Sequence, residues 1–256
     1  LGVDNPARAL PGLLSWMAKA RPPLLATALM SANVTGAIAT RLRSRETATV
    51  ALVRNHISAE ILGKSAPKRM LGSGVLRWAY RSADIVACVS TSVADDVIAY
   101  AGVAPSKVVV TYNPLPERVV ELVPQAWPGL ARPVLVAIGR MVPQKDHATL
   151  LSAFARLRAG RDATLVIIGS GPLRPEIDAA IAALGIADSV VVHDYRSDIA
   201  ECIAGSDVLV LASRYEGLPN VVLEALGAGV TVAATDAPGG SAELLEDGRL
   251  GYLCAV

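Results

Sequence analysis

An α/β fold of two parallel-sheet domains follows from three features of the 256-residue sequence. Apolar runs of strand length alternate with helical segments, which is the pattern of βαβ units. The alternation stops once, in a Pro-rich stretch, and then restarts. Hydrophobic residues make up 52% but aromatics only 4%, so the core is built from Ala, Val, Leu and Ile, the composition of parallel sheets buried on both faces. The length suits about two domains of roughly 100–200 residues each.

Taken in order, Leu24–Leu29, Thr49–Val53, Ile85–Val89 and Val108–Thr111 read as strands, with helices over 31–44, 66–81 and 92–101 between them. Pro114, Pro116, Pro124, Pro128 and Pro133 then fall close together. Each removes a backbone donor and fixes φ, so this stretch reads as a connection. Strands resume at Val134–Ile138, Thr164–Ile168, Val190–Val192, Val208–Leu211 and Val230–Ala233, with helices near 146–158, 173–184, 197–204 and 219–227. The expected organisation is therefore 1–115 as a first domain, 116–132 as a linker and 133–256 as a second domain.

Composition narrows the function classes. The hydrophobic fraction excludes a disordered tail or a collagen. A mean hydropathy of +0.44 raises a membrane span, but the one uncharged stretch near spanning length, Pro22–Thr40, carries Pro22, Pro23, Ser31, Asn33, Thr35 and Gly36 and reads as a buried strand and helix. No basic, apolar signal peptide opens the sequence, so a cytoplasmic location is expected. Cys88, Cys202 and Cys254 are widely spaced in apolar surroundings and read as buried thiols rather than metal ligands or disulfides. The net charge of +1 hides an asymmetry: residues 1–120 hold 14 Lys/Arg against 7 Asp/Glu, and residues 121–256 hold 10 against 16. Opposed halves suggest domains with different partners. Within the first, Lys64, Lys68, Arg69, Arg77 and Arg81 form a run without an acid, interleaved with Met70, Leu71, Val75, Leu76 and Trp78. It is either a solvated helix face or a surface that touches an anionic membrane.

Doubly wound sheets bind ligands beyond the carboxyl ends of their strands, so the residues after each strand carry the functional reading. After Val134–Ile138 come Gly139, Arg140 and Lys145, a close turn with two cations placed to converge on one polyanion; two solvated charges are the plain alternative. After Thr164–Ile168 come Gly169, Ser170, Gly171 and Pro172, a tight turn opening a helix whose free N–H groups favour an anion. The strongest segment is SRYEGLPNVVLEA, residues 213–225. Pro219 fits the first helical turn, which leaves Glu216 on the loop and Glu224 on the helix behind it. Two carboxylates flanking an anion-binding helix end suggest a ligand with both hydroxyls and phosphates, such as a nucleotide sugar.

These pieces carry a family likeness. In order and spacing, VLVAIGRMVPQKDHATLLSAFARL, LVIIGSGPLRPEI, SDVLVLASRYEGLPNVVLEALGAG and APGGSAELLEDGRLGYL resemble the donor-binding domain of the retaining GT-B glycosyltransferases of family 4, or group 1. SADIVACVSTSVADDV and VVVTYNPLP resemble the later part of that family's first domain. The resemblance implies a GT-B architecture, two Rossmann-like domains around a cleft. It also implies that the first domain is incomplete, its glycine-rich opening strand and loop missing, and that the second lacks its final helices.

The resemblance implies roles as well. Arg140 and Lys145 match the basic pair that binds the donor diphosphate and offsets leaving-group charge. Glu216 and Glu224 match the E-x7-E pair, Glu224 on ribose hydroxyls and Glu216 near the donor sugar and the reacting face. Gly217, Leu218 and Pro219 bring backbone close to the diphosphate or sugar, and the loop carrying Tyr195 lies where the family holds the base; Gly139 and Gly169, from the strand-end turns above, join them as donor-binding candidates. No cofactor and no divalent metal are expected, because cations and helix N–H groups supply the leaving-group stabilisation. In the first domain a polar residue after Thr49–Val53 faces the donor sugar in relatives. Arg54, Asn55 and His56 are the candidates, His56 attracting notice for its near-neutral pKa. Ser90 reads foremost as an N-cap.

The expected function is transfer of a sugar, with retention, from a nucleotide-diphosphate sugar to a hydroxyl of a glycan or lipid-linked acceptor. The protein would work in the cytoplasm or peripherally on the inner face of the plasma membrane, with no nucleic-acid partner. A non-catalytic nucleotide-sugar-binding remnant is the alternative. A nicotinamide enzyme is disfavoured, since G-x-G-x-x-G is missing where that chemistry needs it.

Overall fold

A computed structural model describes residues 6–43, 46–62, 66–115, 123–125 and 127–256, with residues 6–7 and 66–72 by their backbone alone. The chain forms two compact units, Leu1–Asn113 and Pro114–Val256.

The first unit runs α1 (Pro6–Ala20), β1 (Leu24–Ala28), α2 (Met30–Arg43), β2 (Ala48–Val53), α3 (Ile57–Leu62), α4 (Ala66–Ser82), β3 (Ile85–Cys88), α5 (Thr91–Asp96, continuing as a π-helical turn over Val97–Ala101) and β4 (Val108–Val110). Its four strands pair in parallel in the order β1-β2-β3-β4. Sequential parallel strands joined by right-handed crossovers place the connecting helices on one face. Thr27, Ala51 and Val86 share that face by register, and α2 lies so close that a side chain on Gly36 would meet Thr27 at 2.6 Å. On the opposite face Leu24, Ala26, Ala28, Ile85 and Val109 are exposed. The expected burial on both faces therefore fails for this sheet among the described residues.

The second unit meets that expectation. It contains β5 (Val134–Ile138), α6 (His147–Arg158), β6 (Thr164–Ile168), α7 (Arg174–Ala183), β7 (Val190–His193), α8 (Ile199–Ala204), β8 (Val208–Leu211), α9 (Asn220–Gly227), β9 (Thr231–Thr235), α10 (Ser241–Leu244) and β10 (Tyr252–Cys254). All pairings are parallel, in the order β10-β9-β8-β5-β6-β7. Every residue of β6 is buried, and its side chains alternate between two clusters. Val166 and Ile168 join Val136, Leu209 and Val232 on one face, while Leu165 and Ile167 join Leu151, Phe154 and Ile177 from α6 and α7 on the other. This is the period-two division of a sheet with helices on both sides.

Of the expected linker, residues 116–122 and 126 lie outside the described residues. The remainder packs on the second unit. Gln125 N donates to Glu201 O at 2.9 Å, Trp127 and Leu130 rest against the cluster under β5 and β8, and Arg132 pairs with Asp207 at 3.4 Å. Cys88 and Cys202 are buried, and burial pushes the Cys88 thiol up to about 12. Cys254, expected to be buried, is exposed because β10 is an edge strand.

Among the described residues no helix is long and apolar enough to cross a membrane. Of the cationic run, Lys64 lies outside the described residues, as do the side chains of Lys68, Arg69, Met70 and Leu71. Arg77 stacks over the Tyr100 ring at 4.9 Å and Arg81 Nε donates to Ala101 O at 2.8 Å. Both therefore touch the π-helical turn while remaining exposed, as on a solvated helix face.

Candidate functional site

In the second sheet β5 and β8 are neighbours, and the chain leaves them in opposite directions, to β6 on one side and β9 on the other. This is the topological switch point, where the loops after two adjacent strands part and leave a crevice. The loop after β5 carries Gly139, Arg140 and Lys145. The loop after β8 carries Ser213, Glu216, Gly217, Leu218 and Pro219.

The two loops are fastened to each other. Arg214 N donates to Gln144 O at 2.8 Å and Gln144 Nε2 to Tyr215 O at 2.9 Å. Arg214 Nε reaches Asp146 Oδ2 at 2.9 Å. Burial raises the Asp146 carboxyl, but its hydrogen bonds to Arg214 and Thr149 outweigh that and hold it below the usual carboxylate range. Asp146 takes a left-handed backbone and caps α6 through Thr149 N. At the centre Lys145 Nζ meets Glu216 Oε1 at 2.5 Å, with side-chain exposures of 17% and 9%. Ser213 Oγ donates to the same oxygen at 2.6 Å. The basic and acidic candidates thus meet each other, whereas Arg140 is exposed and has no ion-pair partner among the described residues.

The other candidates line the same strand ends. Gly139 N donates to Ile168 O, Met141 N to Ser170 O and Gly169 N to His193 O, at 3.0, 2.8 and 3.0 Å. The ladder therefore continues past the strands and stiffens both glycine loops. Gly217 and Leu218 are buried, and Gly217 O accepts from Gly240 N at 2.7 Å. Pro219, expected inside the first turn of α9, precedes it with extended backbone, its carbonyl accepting from Val222 N. Glu224 is half-buried on α9, behind the loop that holds Glu216. Tyr195 is 81% exposed on the loop after β7.

His147, beside Lys145, is buried and its Nδ1 lacks a partner among the described residues. Burial, aided by the Lys145 charge and opposed by Asp146, pushes its imidazole below the ordinary value. The folded state then takes up this proton at lower pH than the unfolded chain. Below about pH 6.5 the unfolded state binds more protons and stability falls, until the folded imidazole protonates too. His147→Gln should therefore flatten the decline in the urea midpoint between about pH 7 and 5; an unchanged slope would count against this.

In the first unit His56 Nδ1 stands 3.4 Å from Asp96 Oδ2 and 3.3 Å from Ser58 Oγ. The same Asp96 oxygen accepts from Ile57 N and Ser58 N at 2.7 and 3.0 Å. Asn55 is half-buried, its Oδ1 accepting from His56 N at 3.1 Å, and Arg54 is exposed. Ser90 caps α5 through Val93 N at 3.3 Å.

Ser213, Gln144, Asp146 and Thr235 were not singled out from sequence. Each is an ordinary polar residue on a loop or strand end, and their partners come from strand order rather than local spacing.

Comparison with known proteins fits this arrangement. The profile of the glycosyl transferases group 1 matches residues 132–256, and that of glycosyltransferase family 4 matches residues 3–118. A Campylobacter jejuni N-acetylgalactosamine-N,N'-diacetylbacillosaminyl-diphospho-undecaprenol 4-alpha-N-acetylgalactosaminyltransferase is 29% identical over 69% of this chain and 48% of its own length. The Bacillus anthracis N-acetyl-alpha-D-glucosaminyl L-malate synthase is 30% identical over 72% and 49%. The chain spans about half the length of each. Anabaena HepE in complex with UDP superposes with a TM-score of 0.78 at 22% identity, over 97% of this chain and 68% of HepE. Sucrose-phosphate synthase from Thermosynechococcus elongatus gives 0.80 at 18% identity, over 97% and 65%. Those two likenesses carry the fold, two Rossmann-like sets of parallel strands, and with the two profiles matched in succession they show that this chain belongs to the GT-B glycosyltransferases, a family 4 domain followed by a group 1 domain.

Proposed function

We propose that the protein moves a sugar from a nucleoside-diphosphate sugar to a hydroxyl of a glycan or lipid-linked acceptor, with retention of configuration. The observation that carries this reading is the Lys145–Glu216 pair at the switch point, Glu216 buried and Lys145 half-buried, with Arg140 exposed on the same loop as Lys145. A cation, a carboxylate and a second cation at one crevice match a ligand that joins phosphates to hydroxyls. In this reading Arg140 and Lys145 hold the diphosphate and offset its charge without a resident metal. Glu224 accepts from ribose hydroxyls and Glu216 from the donor sugar. The backbone of Gly139, Gly169, Gly217, Leu218 and Pro219 closes on the ligand, and the Tyr195 loop covers the base.

The acceptor oxygen attacks the anomeric carbon on the leaving-group side as the bond from that carbon to phosphate oxygen breaks. The acceptor proton passes to the departing phosphate oxygen, so retention needs no protein nucleophile. His56 is the first unit's candidate for the reacting sugar. A lipid-linked acceptor draws support from the name of the Campylobacter relative, which specifies a diphospho-undecaprenol carrier; HepE bound to UDP-glucose supports the donor class.

A thermal-shift panel of UDP-, GDP- and ADP-sugars, followed by a transfer or donor-hydrolysis assay, tests the reading. Turnover supports the enzyme, saturable binding without turnover supports the remnant, and no binding removes both. Within it, Arg140→Ala should weaken donor binding about tenfold to a hundredfold, the loss of one charge-assisted contact. Unchanged affinity in calorimetry would remove Arg140 from the site.

A further inference from the structure

The two oxygens of the Glu216 carboxylate are used unequally. Oε1 accepts from both Lys145 Nζ and Ser213 Oγ. The hydrogen bonds of the described residues to this carboxylate all fall on Oε1, and the Glu216 side chain keeps 9% of its surface open to solvent. The two donors on Oε1 differ in kind. Lys145 carries a rotatable ammonium on a flexible stem and can follow the carboxylate wherever it turns. Ser213 is 1% exposed, has a single rotatable bond to its hydroxyl oxygen and stands three residues before Glu216. Its own backbone is tied down, because Ser213 O accepts from Thr235 Oγ1 at 2.6 Å across the ends of β8 and β9. The hydroxyl therefore arrives from a fixed direction, and its one proton goes to Oε1.

We propose that Ser213 is a positioning residue that pins Glu216 Oε1 inward and thereby presents Oε2 as the acceptor for a hydroxyl of the donor sugar. The proposal rests on the reading that Glu216 faces that sugar. Without Ser213, the one remaining donor on Oε1 is the flexible Lys145 ammonium, so the carboxylate plane can swing, the outward oxygen no longer points in one direction, and a ligand must order it on binding.

The test uses the full chain, with Ser213→Ala to remove the hydroxyl and Ser213→Thr to keep it, titrated with UDP and with UDP-glucose. If another base is preferred, the matching diphosphate and glucose conjugate replace them. Ser213→Ala should weaken the sugar conjugate about tenfold and leave the bare diphosphate within about twofold, and Ser213→Thr should restore most of the loss. Equal weakening of both ligands would show a merely structural role, and no weakening of either would overturn the proposal. If the unaltered chain binds neither ligand, the functional reading fails by itself. A ligand-free crystal structure of Ser213→Ala then decides the positioning: a rotated or doubled Glu216 carboxylate supports it, and an unmoved one overturns it.

Discussion

Lys145→Met should cost the folded chain about 3 kcal/mol or more, while the same change combined with Glu216→Gln should cost distinctly less. The asymmetry follows from burial. With side-chain exposures of 17% and 9%, both charges have lost most of their water, and the pair is worth little against an apolar pair of similar shape. Removing one partner is different, because it leaves the other charge buried and uncompensated. Ser213 softens the loss by its bond to Oε1 but supplies no positive charge. Urea unfolding of the two single variants and the double variant closes the cycle. A double variant as unstable as the sum of the singles would mean that the ion pair has no coupling energy. The pair also bears on the ligand. Under the proposed function, a diphosphate would have to share the Lys145 charge with Glu216, whereas Arg140, exposed and without an ion-pair partner among the described residues, would meet it unshared.

That pairing marks the limit of what the sequence made legible. The strands β5, β6 and β8 are readable to the residue, because short Val, Ile and Leu runs bounded by Gly, Ser and Pro have few other interpretations. The helix α1 went unread, since Pro11 inside it is ordinarily a break. The six residues of α3 and the three of β10 are too short for periodicity to register. The single helix expected over 92–101 becomes α5 and a π-helical turn closed by left-handed Gly102. Lys145 and Glu216 each stood out by loop and motif, yet their contact joins residues 71 apart. It exists because β5 and β8 are neighbours, a fact of strand order that local pattern does not contain. Ser213 and Thr235 stayed hidden for the same reason, since a serine and a threonine at strand ends look like any others until β8 and β9 lie side by side.

Gly169→Ala should lower stability by about 3 kcal/mol or more, seen as a fall of roughly 6–12 °C in Tm, and, under the proposed function, abolish nucleotide-sugar binding. Its backbone has φ +151, and an added Cβ would fall 1.9 Å from Gly139 O and 2.9 Å from Gly139 C. Both obstacles are main chain, so no side chain can swing aside. Nor can the backbone retreat cheaply, because Gly139 N is bonded to Ile168 O and Gly169 N to His193 O. Moving either loop breaks the ladder that continues beyond β5, β6 and β7. Gly185→Ala is the control. Gly185 also has positive φ, +65, but an added Cβ there meets nothing within 4 Å, so that change should cost only the roughly 1–2 kcal/mol of left-handed strain. Equal losses for the two variants would mean that the close approach of the glycine loops contributes nothing. A larger loss at Gly169, with binding gone, would show that the close approach of the two glycine loops keeps the loop carrying Arg140 and Lys145 in the shape that the proposed function needs.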